Sequence, residues 1–164
     1  MADTLTPAER SERMKRIRGE NTAPELKLRK ALHARGLRYK LHDKRLPGSP
    51  DIVFTRYRAA IFVNGCFWHR HHGCKIATTP KSNTSTWQTK FERNVQRDAA
   101  NAAQLTAAGW NVIVVWECEL TSIEKIEAAC ERVLGELLRG LHWSCPAVAE
   151  WFGLDLKPVE VTRS

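Results

Sequence analysis

Within ten positions, residues 65–74 (GCFWHRHHGC), the chain sets two cysteines, three histidines, an arginine and a Phe-Trp pair. No other stretch limits the fold as strongly. Thiolates and imidazoles bind zinc tetrahedrally, and four protein ligands close a structural site. Four residues separate Cys66 from His71 and two separate His71 from Cys74, so all three can converge from one loop. Cys118, just beyond the apolar run VIVVW, offers a fourth ligand at the end of a strand. Zinc held by these residues would be structural, because a catalytic zinc keeps an open position. It would pin the loop to the sheet edge. His72 competes with His71, and residue order does not choose between them. Phe67 and Trp68 are not needed by a metal, so they either pack inward or are held out toward something flat.

The other cysteines fit this reading. Five is an odd number, and in a cytosolic chain cysteines near other ligand residues favour metal over disulfides. Cys130 falls in an apolar helix pattern and Cys145 precedes a proline, which makes both structural. No apolar run approaches the ~20 residues that span a membrane. The first residues, MADTLTPAERSER, lack the apolar core of a signal peptide, so a cytoplasmic protein is expected. At 164 residues with 43% hydrophobic content, one globular domain with an ordinary core is the expectation.

Charge is unevenly spread. Residues 1–48 carry 13 Lys/Arg against 6 Asp/Glu, whereas residues 49–164 carry 13 against 12. A basic leading segment before a nearly neutral body suits a polyanion such as double-stranded nucleic acid. The chain is read as a basic arm over 1–21, a main domain over 22–140, and an appendage over 141–164.

Hydrophobic periodicity orders the domain. TAPELKLRKALHARG reads as a helix, with Thr22 and Glu25 as a capping box, Pro24 in the first turn and Gly36 as its stop. LRYKLH alternates Leu37, Tyr39 and Leu41 on one face as a half-buried strand. DIVF and AAIFV read as a hairpin, and 64–84 as a long loop of the functional kind. A helix is expected from about Ser85 to Ala108, with Trp87, Phe91, Val95 and Leu105 inward. WNVIVVW reads as a buried strand, its Trp110 and Trp116 as core candidates. A last helix opens on the Thr121-x-x-Glu124 box. This order implies an α/β fold, a sheet flanked by helices.

Asp51 opens a strand after LPGSP, and the hairpin would bring it beside Val63, Asn64 and His69. One carboxylate, a backbone carbonyl and water make a reasonable Mg²⁺ site, since hard cations favour oxygen and keep much of their hydration.

Five blocks together, RSERMKRIRGENTAPE, LPGSPDIVF, AAIFVNGCFWHRHHGC, FERNVQRD and GWNVIVVWECEL, resemble the very short patch repair (Vsr) DNA mismatch endonucleases from about Arg10 to Glu136. The resemblance implies a restriction-endonuclease-like mixed β-sheet flanked by helices, with a structural zinc. It implies nicking of one strand of duplex DNA beside a T:G mismatch left by 5-methylcytosine deamination. By matching positions, Asp51 and the backbone carbonyl of Val63 would bind Mg²⁺. His69 would be the general base, and Glu25 and Asp98 would orient metal-bound waters. Two Mg²⁺ ions would stabilise attacking and leaving oxygens. Zinc would be held by Cys66, His71, Cys74 and Cys118. Phe67, Trp68 and Trp87 would enter the major groove at the mismatch, and Met14 the opposite groove, while Arg13, Lys15, Arg16 and Arg18 would meet phosphates. Asn64 departs from the family, which often has a histidine there; asparagine can hydrogen-bond water but cannot take up a proton near neutral pH. The family precedent is a monomer, and stimulation by other mismatch-repair proteins is left open.

Three classes of function follow. The first is a Mg²⁺-dependent nicking endonuclease. The second is a zinc-supported protein that binds distorted DNA and cuts weakly or not at all. The third is a restriction-type nuclease acting on intact sites.

Overall fold

The computed structural model describes residues 19–139. Met14, Arg13, Lys15, Arg16 and Arg18, most of the basic arm, Cys145 and the segment 141–164 lie outside the described residues.

The first helix, α1 (Ala23–Ala34), begins where its sequence signals say it should. Glu25 turns back to accept the Thr22 amide and hydroxyl, and Pro24 occupies the first turn. Its buried face repeats at helical spacing through Glu25, Leu28, Arg29 and Leu32. Full burial of Leu28 and Leu32 stabilises the fold by about 2 kcal/mol each, and Leu32→Ala would cost more because of the cavity it leaves. Gly36, at φ +79°, releases the chain just past the helix, a left-handed conformation that glycine adopts without a Cβ penalty.

Four strands follow in the order of the chain. These are β1 (Lys40–Leu41), β2 (Ile52–Phe54), β3 (Ala59–Asn64) and β4 (Asn111–Trp116). β1, β2 and β3 pair antiparallel, and β3 pairs parallel with β4 in a register running from Ala59 opposite Asn111 to Asn64 opposite Trp116. A parallel neighbour needs a crossover. Here α2 (Thr84–Ala107) supplies it, preceded by the loop 65–83. α3 (Ile123–Arg139) closes the described chain after a 3₁₀ turn over Glu117–Leu120.

Strand alternation divides the sheet into two faces. Ile52, Phe54, Ala59, Ile61, Ile113 and Val115 pack with Leu28 and Leu32 of α1 and with Ala129, Cys130, Val133 and Leu137 of α3. The opposite face carries Phe62, Val112 and Val114, which line a cleft under α2. One side of the sheet is thus sealed core and the other opens on the site. This is a mixed α/β architecture with helices on both faces, the layering expected of a nuclease-like fold.

Several local expectations need correction. The strand expected across 37–42 shrinks to two residues, and Leu41 is 43% exposed. As the outer strand it has a partner on one side only, and His42 ends it by turning to φ +46°. Val95 lies on the solvent side of α2 at 44% exposed. The last helix starts one residue late, with the Ser122 hydroxyl accepting the Lys125 amide while Thr121 donates its hydroxyl to the Cys118 carbonyl. Trp110 and Trp116 are half-buried and not core. Arg58 lies over the Trp110 ring, and Trp116 stacks flat on His71.

Candidate active site and metal cluster

The cleft under α2 holds about 770 Å³. Three structural units build its polar wall. β2 and β3 bring Asp51, Val63 and Asn64 to the ends of paired strands, α1 contributes Glu25, and α2 contributes Asn94, Arg97, Asp98 and Asn101.

Asp51 sits one residue before β2, where the continuing hairpin ladder carries it across to β3. Its Oδ2 accepts the Val63 amide at 2.7 Å. In an extended strand a residue's N–H and C=O leave toward the same edge, so the Val63 carbonyl emerges on the side that Asp51 occupies. Burial raises the Asp51 carboxyl to about 6, against the opposing pull of the Val63 amide; the nearby Glu25 charge also raises it, while His42 and Arg29 lower it.

Glu25 is 2% exposed and fully engaged. Oε1 accepts the Thr22 amide and hydroxyl, and Oε2 accepts the Asn21 amide and the Arg29 guanidinium. Capping and a place at the cleft wall thus coincide in one residue. Between Glu25 and Asp51 stands His42, which sequence reasoning passed over. Its Nε2 is 3.7 Å from Glu25 Oε2 and its Nδ1 is 3.8 Å from Asp51 Oδ1. Glu25, His42 and Asp51 together form one of two groups, among the described residues, whose ligand atoms all lie within 4.8 Å of one another. Arg29 was also missed, although Glu25-x-x-x-Arg29 is a readable helical ion pair. His42 left no such signal, since its position rests on the turn that ends β1.

His69 comes from the loop, with the Gly65 carbonyl accepting its amide. Its Nδ1 hydrogen-bonds Asp98 Oδ2 on α2. This pair brings two of the sequence-derived site residues together across 29 positions. Asn64, the last residue of β3, lines the same cleft.

The second group is Cys66, His71, Cys74 and Cys118. His71 Nδ1 lies 3.5 Å from Cys66 Sγ and 3.3 Å from Cys118 Sγ. His72 is exposed, so the structure selects His71. The imidazole is held flat on Trp116, with ring centroids 4.2 Å apart and planes within 1°. Burial pushes the Cys66 thiol up to about 12 and raises Cys118, whereas the Ile76 amide pulls Cys74 down. Glu117, another residue missed from sequence, accepts the Cys66 amide at 3.0 Å and ties the loop to the end of β4.

Beside the cluster, Phe67 meets Trp68, Trp87 and Phe91 edge-on at centroid distances of 5.1, 5.5 and 5.1 Å. Phe91 is 2% exposed, and the other three rings are half-buried. Arg70 lies over the Phe91 ring and donates to the Ala77 and Thr78 carbonyls, bracing the loop from within.

Residues 2–75 match the model of the family "DNA mismatch endonuclease Vsr". The chain is 47% identical over 134 residues to the type II nicking enzyme V.XorIIP of Xanthomonas oryzae pv. oryzae, covering 82% of this chain and 98% of that protein. It is 43% identical over 139 residues to the type II nicking enzyme V.NmeAIP of Neisseria meningitidis, covering 85% of this chain and 96% of that protein. It is 42% identical over 135 residues to the DNA mismatch endonuclease Vsr of Escherichia coli K12, covering 81% and 86%. With an acidic cleft on a mixed α/β sheet and relatives of this kind, the protein is a DNA endonuclease. The chain belongs to the Vsr family of DNA mismatch endonucleases. Among the described residues no helix is long and apolar enough to cross a membrane.

Proposed function

We propose that the protein is a Mg²⁺-dependent nicking endonuclease for T:G mismatches in duplex DNA, opening the very short patch repair of deaminated 5-methylcytosine. The observation that carries this reading is the tie between Asp51 and Val63 at 2.7 Å, on the same cleft as the His69–Asp98 pair. A largely buried carboxylate beside an outward carbonyl, with Glu25 close by, offers oxygen ligands on one side and leaves room for water on the other, which suits Mg²⁺.

Asp51 and the Val63 carbonyl would hold the cation. When bound, Mg²⁺ would supply Lewis-acid stabilisation of the oxygens that attack and leave phosphorus, with two ions serving both. His69 donates from Nδ1 to Asp98 and so keeps Nε2 as its basic nitrogen. That nitrogen takes the proton of the water whose oxygen attacks phosphorus as the P–O bond of the strand breaks. Asp98, besides aligning His69, would orient water near the cation, whereas Glu25, its acceptor sites already taken by Asn21, Thr22 and Arg29, would act on the cation's surroundings through its charge at the far wall. Asn64 adds a hydrogen bond to that water and no proton transfer.

Cys66, His71, Cys74 and Cys118 would hold a structural zinc. Zinc–ligand distances of about 2.3 Å to sulfur and 2.0 Å to nitrogen place them about 3.5 Å apart in a tetrahedron, close to the 3.5 and 3.3 Å separations here. The braced loop presents Phe67 and Trp68, with Trp87 beside them, to an unstacked base step, whose opening costs less at a mismatch. The basic segment 1–21 serves as a DNA-contacting arm, with Arg13, Lys15, Arg16 and Arg18 on phosphates and Met14 in the opposite groove. The protein would act as a monomer in the cytoplasm, on the nucleoid.

A nicking assay on matched and T:G duplexes, with Mg²⁺ and with Asp51→Ala, tests the reading. One-strand cutting confined to the T:G duplex and abolished by Asp51→Ala is expected. Tight binding without product would favour a distorted-DNA binder, and cutting of fully paired DNA a restriction-type nuclease.

A further inference from the structure

Between α1 and the cleft runs a short chain of polar contacts with no established part to play. Arg29 is 7% exposed. Its Nη1 donates to Asn21 Oδ1 at 2.6 Å. Its Nη2 has two protons and two acceptors, Glu25 Oε2 at 2.8 Å and His42 Nε2 at 2.6 Å. A guanidinium only donates, so His42 Nε2 must be the accepting nitrogen. The proton of the neutral ring then sits on Nδ1, the nitrogen that faces Asp51 Oδ1 at 3.8 Å. Val63 already holds the other oxygen of that carboxylate, Oδ2. His42 is also tied to Asp51 through the backbone, its amide donating to the Asp51 carbonyl.

The backbone gives an independent indication. His42 is a non-glycine residue at φ +46°. Such residues are uncommon, and where they persist the surroundings over-determine them, often at functional sites. Here the surroundings are Arg29 on one ring nitrogen and Asp51 on the other.

We propose that His42 is a positioning residue: held by Arg29, it turns its Nδ1–H toward Asp51 Oδ1 and fixes the orientation in which that carboxylate receives a divalent cation. Arg29 sets the tautomer, and Glu25 balances the charge of Arg29. Asp51 is thereby flanked on both sides, with the Val63 amide bonded to one oxygen at 2.7 Å and the imidazole facing the other at 3.8 Å, a charge–dipole contact longer than a hydrogen bond. A metal ligand oriented in this way by its surroundings typically binds ten- to a hundredfold better than the same ligand left loose.

This inference rests on the reading of Asp51 as a metal ligand, and the test separates the two. Mn²⁺, a paramagnetic stand-in, is titrated into the wild-type protein and three variants while the free ion is followed by electron paramagnetic resonance. Zn²⁺ is first supplied to fill the thiol cluster. Asp51→Ala should abolish the binding; if it binds Mn²⁺ as the wild type does, or if the wild type binds none at this site, the reading of Asp51 fails and the inference with it. His42→Leu should weaken Mn²⁺ binding about tenfold, whereas His42→Asn, whose amide N–H can stand where Nδ1–H stands, should recover to within about threefold. Nicking of a T:G duplex should follow suit, the Mg²⁺ midpoint rising in His42→Leu with maximal turnover much less affected and metal-free DNA affinity unchanged. Equal Mn²⁺ affinity in His42→Leu and wild type, with Asp51→Ala still dead, overturns the role of His42 alone. So does a folded His42→Asn that binds as poorly as His42→Leu.

Discussion

His69 Nδ1 and Asp98 Oδ2 share a hydrogen bond, and because a carboxylate only accepts, the ring of a histidine that the sequence could place only in a loop carries a proton on Nδ1. In the neutral ring a proton on Nδ1 leaves Nε2 unprotonated and able to act as a base. Asp98→Asn replaces the acceptor with a group that can offer an N–H instead. The ring can then flip or change tautomer, and single-turnover nicking of a T:G duplex should fall by about ten- to a hundredfold with DNA affinity held. Loss of the proposed base itself in His69→Ala should cost about 10²–10⁴ in rate. Rates for Asp98→Asn within twofold of wild type would show that the pair is only structural.

Asp51 carries a pH signature. Its carboxyl is raised to about 6 in the folded chain, chiefly by burial, against about 3.9 in an unfolded one. The folded state therefore holds this proton more tightly. The contribution is fully present below pH 4 and is lost as pH rises through 6, because the buried group must then ionise. Its upper bound is about 3 kcal/mol, since each tenfold gain in proton affinity is worth about 1.4 kcal/mol. Denaturant unfolding of the metal-free protein and of Asp51→Asn at pH 5 and 7.5 isolates the effect. The wild type should lose stability relative to Asp51→Asn as pH rises, and Mg²⁺ should reverse that loss by stabilising the ionised form. A stability difference that is constant between the two pH values would contradict the burial argument.

What was legible in the sequence depended on how local the cause was. The capping box at Thr22 and Glu25, the hairpin from Asp51 to Asn64 and the long helix before Gly109 are set by neighbours three or four positions away, and the chain spells them out. The thiol and imidazole cluster was also readable, because three of its members crowd into nine residues. The choice of His71 over His72 was not, since it turns on one ring stacking against Trp116 from a distant strand. His42 and Glu117 were invisible for the same reason. One owes its place to the end of a two-residue edge strand, the other to the meeting of β4 with the loop. Leu41 and Val95 were misjudged as inward because alternation and helical period mark a face, whereas burial depends on whether another element comes to cover it.

The thiol cluster predicts a proton count. Burial holds Cys66 and Cys118 above the usual thiol range, so both are protonated near neutral pH without a cation. Zinc binds thiolates, and loading it must drive those protons off. Calorimetric titration in two buffers of different ionisation enthalpy should report release of about two to three protons per zinc ion, one each from Cys66 and Cys118 and the rest from Cys74. Cys118→Ser should remove part of this release and lower the melting temperature by about 10 °C, because the loop loses its tie to β4. Zinc uptake without proton release would place the metal elsewhere.

On the proposed reading, the aromatic cluster would separate recognition of damage from general DNA affinity. Phe91 is buried while Phe67, Trp68 and Trp87 keep part of their surface in solvent, and the edge-on contacts hold all four rings in fixed relation. Trp87→Ala removes a half-exposed ring that touches Trp68 as well as Phe67, so both residues proposed as the wedge lose a support. Contact of a base with one aromatic ring is worth about 1–3 kcal/mol, or about a ten- to hundredfold loss of affinity for a T:G duplex. Matched duplex binds through phosphates, and its affinity should change little. Fluorescence anisotropy on the two duplexes at one salt concentration reads the difference. If Trp87→Ala weakens matched and mismatched DNA by the same factor, the rings serve the fold and the discrimination must come from elsewhere.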